Sequence, residues 1–141
     1  MNILVTGGAG FLGSHMVHEL IDAGEDVVVL DNLSTGFRWA VPECAKLVVG
    51  DAGDQELVRA LIRKHGIQSI IHFAGSIVVP ESVSDPLGYY NNNTVKSRSL
   101  IEAAVLGGVR NFIFSSTAAV YGDPEVVPVR EDARLQPLSP Y

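Results

Sequence analysis

The chain has 141 residues, enough for one domain, and its 47% hydrophobic content can build a real core, which excludes a disordered tail. Sixteen acidic residues against ten basic ones leave a net charge of −6 with the cations scattered, so no nucleic acid is expected as a partner. No apolar run reaches the roughly 18 residues of a membrane span and no secretory leader opens the chain; a soluble, cytoplasmic protein is expected, with no membrane partner.

Apolar, β-branched runs alternate with helical patterns, which is the signature of βαβ units around a parallel sheet. The strands are expected at Asn2–Thr6, Asp26–Asp31, Lys46–Gly50, Ser69–Phe73 and Asn111–Ser115. Their nearly continuous apolar character implies a sheet covered on both faces. Between the first two strands, Leu12, Met16, Val17, Leu20 and Ile21 form one helical stripe that Gly24 stops. Gln55–His65 repeats the pattern, with Leu57, Leu61 and Ile62 inward and Gly66 closing it. A longer helix is expected from Asp85-Pro86 to Gly107-Gly108, with the acid as cap and the proline in the first turn. From Asp123 onward prolines dominate and the chain reads as an extended loop. The expectation is a doubly wound α/β fold of strand order 3-2-1-4-5, one domain over residues 1–122, and a proline-rich loop over 123–141. A half-sheet followed by a loop also reads as part of a longer protein, with a C-terminal domain absent here.

The first strand runs into Thr6-Gly7-Gly8-Ala9-Gly10-Phe11-Leu12-Gly13, and a helix begins inside that run. Gly7 permits a tight turn, Gly10 lets backbone approach a ligand, and Gly13 lets helix and strand pack closely. A helix N-terminus there offers free N–H groups and a partial positive charge to a pyrophosphate. The alternative is a tight turn with no ligand. Asp31 ends the second strand, where a carboxylate can accept both ribose hydroxyls of an adenosine; it could also cap the turn at Asn32 to Ser34. If it faces the ribose, a 2′-phosphate meets like charge, a repulsion of about 4 kcal/mol per charge pair at 4 Å and a dielectric near 20. NAD rather than NADP is the expected cofactor.

The blocks TGGAGFLGSH, DNLSTG, GDAGD, IIHFAG, PLGYYNNNT and FIFSSTAAVYG resemble the extended short-chain dehydrogenase/reductase superfamily, and within it the nucleotide-sugar epimerases. The resemblance covers nearly the whole chain. It implies a Rossmann-type fold that holds NAD and a C4 epimerisation of a UDP-hexose, UDP-glucose to UDP-galactose and back. It places Phe11 and Leu12 over the pyrophosphate, and Asp31, Asn32, Ser34, Thr35 and Gly36 around the ribose. Asp51 and Ala52 are placed at the adenine edge, Phe73, Ala74 and Gly75 on the nicotinamide side, and Asn92 beneath the site. Thr117 is placed on the sugar oxygen being oxidised, and Tyr141 at the tyrosine of the Tyr-x-x-x-Lys pair. It further implies a UDP-sugar substrate and a homodimer of the parent protein through the long helix and the helix that carries the Tyr-Lys pair. Another nucleotide-sugar epimerase, a 4,6-dehydratase and a non-catalytic NAD-binding module are the alternatives. Dehydratases carry an acid after the Ser/Thr cluster, where this chain has Ala118 and Ala119.

Two positions depart from that pattern. Ile77 stands where many relatives have a lysine, and no lysine follows Tyr141 at the fourth position. A phenol in water ionises near pH 10, so a neighbouring ammonium is what makes it a base at neutrality. These 141 residues alone are therefore expected to have no useful epimerase activity. Thr117 could alternatively just end its strand, which is the expectation for Ser115. His15, His18, His65 and His72 show no metal-ligand spacing, so no metal is expected; His72 reads as a satisfied core histidine, Tyr89 and Tyr90 as packing residues, and Cys44 as an inert, semi-buried thiol.

Overall fold

The computed structural model describes all 141 residues. Five parallel strands, β1 (Asn2–Thr6), β2 (Asp26–Asp31), β3 (Lys46–Val49), β4 (Ser69–His72) and β5 (Asn111–Phe114), form one sheet in the order β3-β2-β1-β4-β5. The expected order holds, and so do the first two strands residue for residue. The other three end one residue earlier than expected, so Gly50, Phe73 and Ser115 belong to loops. Each still accepts or donates one ladder-like bond at the sheet's end, as Phe73 N–H does to Thr6 O at 2.9 Å.

Strand alternation divides the apolar side chains between two layers. Leu4, Val28, Leu30 and Ile70 point to one face, under α2 (Gln55–His65) and α5 (Lys96–Leu106), and pack with Val58, Leu61, Ile62, Leu100, Ala103 and Ala104. Ile3, Val5, Val27, Val29 and Ile71 point to the other, where Val17 of α1 (Phe11–Asp22) meets them together with Val41 and Ala45. Both faces are covered, which is why the strands read as continuous apolar runs.

The helices have local reasons to be where they are. Asp54 caps α2 by accepting from Leu57 N–H at 3.0 Å, Arg63, Lys64 and His65 favour its C-terminal end, and Gly66 closes it in the left-handed conformation. Leu57 packs at the margin of that core and Val58 at its centre. Asp85 caps α4 (Pro86–Tyr89) by accepting from Gly88 N–H, as expected from Asp85-Pro86. The long helix is not uniform: Tyr90–Val95 forms a π-helical turn between α4 and α5. A short helix, α3 (Val79–Ser84), precedes it and was not visible as a pattern.

Three expectations about burial are corrected. Leu12 lies on the helical stripe by spacing yet is 62% exposed, because the first turn of α1 projects beyond the strand ends. Cys44 is exposed rather than semi-buried, since it sits in the loop that only Val41 and Ala45 anchor. Tyr89 does pack, but Tyr90 is half exposed. The Asp123–Tyr141 loop has no helix or strand; Gln136 N–H donates to Val120 O at 2.9 Å and ties it to the turn at Ala118–Tyr121.

Candidate functional site: a dinucleotide cradle

The register aligns Thr6, Leu30 and His72 across the sheet, with β2 leaving β1 on one side and β4 on the other. This is the topological switch point, where the loops diverge and leave a crevice. The glycine turn crosses it. Gly7 adopts φ +71°, and a Cβ there would lie 2.6 Å from Ala74 N and 2.8 Å from Phe73 C, so the turn lies directly on the end of β4. A Cβ on Gly13 would lie 2.1 Å from Gly7 O. That contact brings α1 back onto its own turn. Gly10 faces only Gly7 O, at 3.3 Å.

The N-terminus of α1 has no side-chain cap and no acid in its first turn. The N–H groups of Phe11, Leu12 and Gly13 find no backbone acceptor, whereas Ser14 N–H donates to Gly10 O. Unpaired donors at a helix tip, uncovered by any side chain, fit a pyrophosphate. Phe11 and Leu12, 79% and 62% exposed, flank this tip.

Asp31 braces the turn, which is one of the two readings its position allowed. It is 7% exposed; Oδ2 accepts from Ala9 N–H at 2.9 Å and Oδ1 accepts from Leu33 N–H at 2.8 Å. The second bond holds Leu33 at φ 58°, a region that disfavours a branched side chain, and Asn32 tightens the hook by accepting from Ser34 N–H at 3.0 Å. The loop is pinned again at Ala9, whose carbonyl accepts from Phe37 N–H at 2.9 Å while a Cβ on Gly36 would lie 2.9 Å from Ala9 Cβ. Ala9 was missed by sequence reasoning. Its signal was its size, since nothing larger than a methyl fits beneath Gly36.

At the far end of the sheet, Asp51 Oδ1 accepts from Gly53 N–H at 2.7 Å and Oδ2 pairs with Lys96 Nζ at 2.5 Å. Partial burial opposes ionisation of this carboxyl, but the Lys96 and Gly53 hydrogen bonds and the ammonium charge outweigh it, leaving its pKa below the usual range.

On the opposite side, the segment after β4 is held by the π-helical turn. Asn93 brackets Ser76, accepting from its N–H and donating to its carbonyl, each at 2.8 Å, and Asn92 donates to its hydroxyl at 2.8 Å. Asn92 thus reaches the loop that follows Phe73, Ala74 and Gly75. Asn93, which the sequence reading passed over, makes the stronger two-point clasp.

Thr117 Oγ1 accepts from Ala119 N–H at 3.1 Å, starting the turn at Ala118–Tyr121. Tyr141 is half-buried, and no hydrogen bond joins it to Thr117. The second phenol nearby, Tyr89, bonds to Val78 and to Glu81 at 2.7 Å, and burial first, then the Glu81 carboxylate, push it up. Tyr89 is a brace, not a base.

His72, 2% exposed, lies between Thr6 Oγ1 at 2.5 Å and Ser97 Oγ at 2.8 Å. Ser97 spends its proton on Asn93 O at 2.6 Å, so it must accept from His72 Nε2–H, and Nδ1 must accept from Thr6. The neutral imidazole is therefore fully used, and burial lowers its pKa to about 4. A folded pKa below the unfolded value means that the unfolded chain binds the proton more readily. Stability from this group is full above about pH 6.5 and falls as pH drops toward 4, by about 3 kcal/mol in total. Urea unfolding of His72→Gln should lack that part of the acid slope; an unchanged slope would show that His72 does not carry it.

No group of His, Cys, Asp and Glu side chains could hold a metal ion. No helix is long and apolar enough to cross a membrane. The glycine turn, the uncapped tip of α1 and Asp31 together make a candidate dinucleotide cradle. The profile of the NAD dependent epimerase/dehydratase family matches residues 3–141. The chain belongs to this family. Within it, the chain is 54% identical over 139 residues to the UDP-glucose 4-epimerase of Azospirillum brasilense, covering 99% of this chain and 40% of that protein. It superposes with a TM-score of 0.96 on a UDP-glucose 4-epimerase from Brucella ovis in complex with NAD, at 44% identity, covering 99% of this chain and 43% of that one. A Thermotoga maritima UDP-glucose 4-epimerase with UDP-glucose gives a TM-score of 0.94 at 39% identity, covering 100% and 46%. The chain spans less than half the length of these family members. NAD is the cofactor of the family, and the open helix tip, the buried Asp31 and the close-packed glycines fit it.

Proposed function

We propose that the protein to which these residues belong interconverts UDP-glucose and UDP-galactose at C4, with NAD held in the cradle. The observation that carries the reading is the uncapped N-terminus of α1 facing the β1–β4 crevice with Asp31 at its flank. The N–H groups of Phe11, Leu12 and Gly13 bind the pyrophosphate, approached closely over Gly10 and made possible by the turn at Gly7. Asp31, Asn32, Ser34, Thr35 and Gly36 surround the adenosine ribose; Asp51 and Ala52 meet the adenine edge. Phe73, Ala74 and Gly75 line the nicotinamide side, and Asn92 steadies them through Ser76. NAD, when bound, would supply a reversible hydride acceptor at C4, the hydride returning to the opposite face of the sugar. Thr117 hydrogen-bonds the C4 oxygen, and Tyr141 takes the proton of the C4 hydroxyl and gives it back to the same oxygen.

Dehydration needs a further acid or base after Thr117, and Ala118 and Ala119 offer neither. The exposed Leu87, Ile101 and Val105 on the outer side of the long helix suit a second copy of the protein, and we place a homodimer contact there. We further propose that Tyr141 works as a base only with a lysine ammonium that these 141 residues do not supply, so that alone they turn over substrate poorly.

Calorimetry should detect NAD binding to the 141-residue chain, while UDP-glucose turnover by it stays at least about a thousandfold below that of a longer relative. No heat with either NAD or NADH would overturn the cradle. Turnover near the relatives' rate would overturn the proposed dependence on a further cation.

A further inference from the structure

The first turn of α5 reaches across the sheet to a loop far from it in sequence. Lys96 Nζ pairs with Asp51 Oδ2, while Gly53 N–H holds the other carboxylate oxygen. Its stem does more: a Cβ on Gly53 would lie 2.7 Å from Lys96 Cγ and 2.9 Å from Lys96 Cβ, so the methylenes lie on the Gly53 backbone. The Asp51 side chain is 40% exposed, free to rotate into water if only one oxygen is anchored. With both oxygens anchored, the plane of the carboxylate is set.

We propose that Lys96 is a positioning residue for base recognition, holding Asp51 so that its carboxylate accepts from the exocyclic amino group of the cofactor's adenine. This rests on the reading of Asp51 at the adenine edge. Lys96 touches no reacting atom; it acts by clamping the loop after β3 and by aiming one acceptor. The held carboxylate is also kept ionised, since the Lys96 bond lowers its pKa. An aimed anionic acceptor discriminates between a base that presents an N–H and one that presents a carbonyl oxygen, because the latter leaves charge facing a lone pair.

The test is a ratio of affinities, which general loosening of the fold does not move. NAD and nicotinamide hypoxanthine dinucleotide, in which the amino group is replaced by oxygen, are titrated by calorimetry. The unaltered chain should prefer NAD by about tenfold or more. Lys96→Met keeps the stem on Gly53 and removes the charge; it should bring the preference to within about threefold, and Lys96→Arg should restore it. Asp51→Ala should abolish the preference. If Lys96→Met weakens both ligands equally, or leaves the ratio intact while Asp51→Ala removes it, Lys96 is only structural and the proposal falls while the Asp51 reading stands. If the unaltered chain shows no preference, or Asp51→Ala retains it, the reading of Asp51 falls and the proposal with it.

Discussion

Replacing Gly13 by alanine should lower the melting temperature by about 10 °C and weaken NAD binding at least about a hundredfold. Helix propensity alone argues the reverse, because alanine is favoured over glycine in a helix interior by about 1 kcal/mol. The geometry decides. The new Cβ would lie 2.1 Å from Gly7 O and 2.8 Å from Gly8 Cα, both backbone atoms of a turn that itself lies on Phe73 and Ala74. Neither partner can rotate away as a side chain would. The turn must open, at a cost of about 3 kcal/mol or more, and the donors at the tip of α1 lose their common aim. Gly24→Ala is the matched control: at φ +78° with nothing within 4 Å of an added Cβ, it should lose only the roughly 1 kcal/mol of a left-handed backbone and leave NAD binding intact. A Gly13→Ala protein that melts and binds like the parent would mean that the turn is not packed as described.

Loss of Asp31 should be nearly as severe, and for two separable reasons. Asp31→Ala removes the acceptor for the ribose hydroxyls, and it also leaves Ala9 N–H buried without a partner while releasing Leu33 from its left-handed conformation. The orphaned donor should destabilise the chain by about 1–3 kcal/mol. NAD affinity should fall by about a hundredfold, more than a ribose contact alone predicts, because the glycine turn loses its brace. The same substitution removes the charge that repels a 2′-phosphate, so the preference for NAD over NADP should shrink from about a hundredfold to within about tenfold. Paired titrations with the two dinucleotides and a thermal melt separate these effects. An Asp31→Ala protein with unchanged NAD affinity, or an unaltered chain that binds both cofactors equally, would defeat the assignment of the ribose to Asp31.

The two substitutions also show which parts of the site could be read from the residues. Gly7, Gly10 and Gly13 were legible as a tight strand-to-helix turn, and the close approaches at Gly7 and Gly13 bear that turn out. Asp31 was legible at its strand end, but its choice between ribose acceptor and turn cap was not. The folded chain shows this buried carboxylate bracing the turn through both oxygens, and the ribose role remains our proposal. Asn93 and Lys96 carried no local signal, and Ala9 only its small size. Each acts on a residue from a different strand or loop, and such partners are chosen by the topology.

Strand positions, the helices α1 and α2 and the two-sided burial of the sheet were properties of local pattern: β-branched runs of the right length, caps such as Asp54, and a closing glycine at position 66. Hydrophobic period and backbone preference act over a few residues, so the linear chain contains them. What the tertiary structure alone decided was how separate loops are held in common register: Ala9 beneath Gly36, Ser76 in the clasp of the π-helical turn, His72 buried neutral between Thr6 and Ser97, and Asp51 tied to the start of α5. Those pairings need polar groups brought together from distant parts of the chain in a low-dielectric interior, where an unmatched donor or charge is expensive and the correct partner is therefore specified.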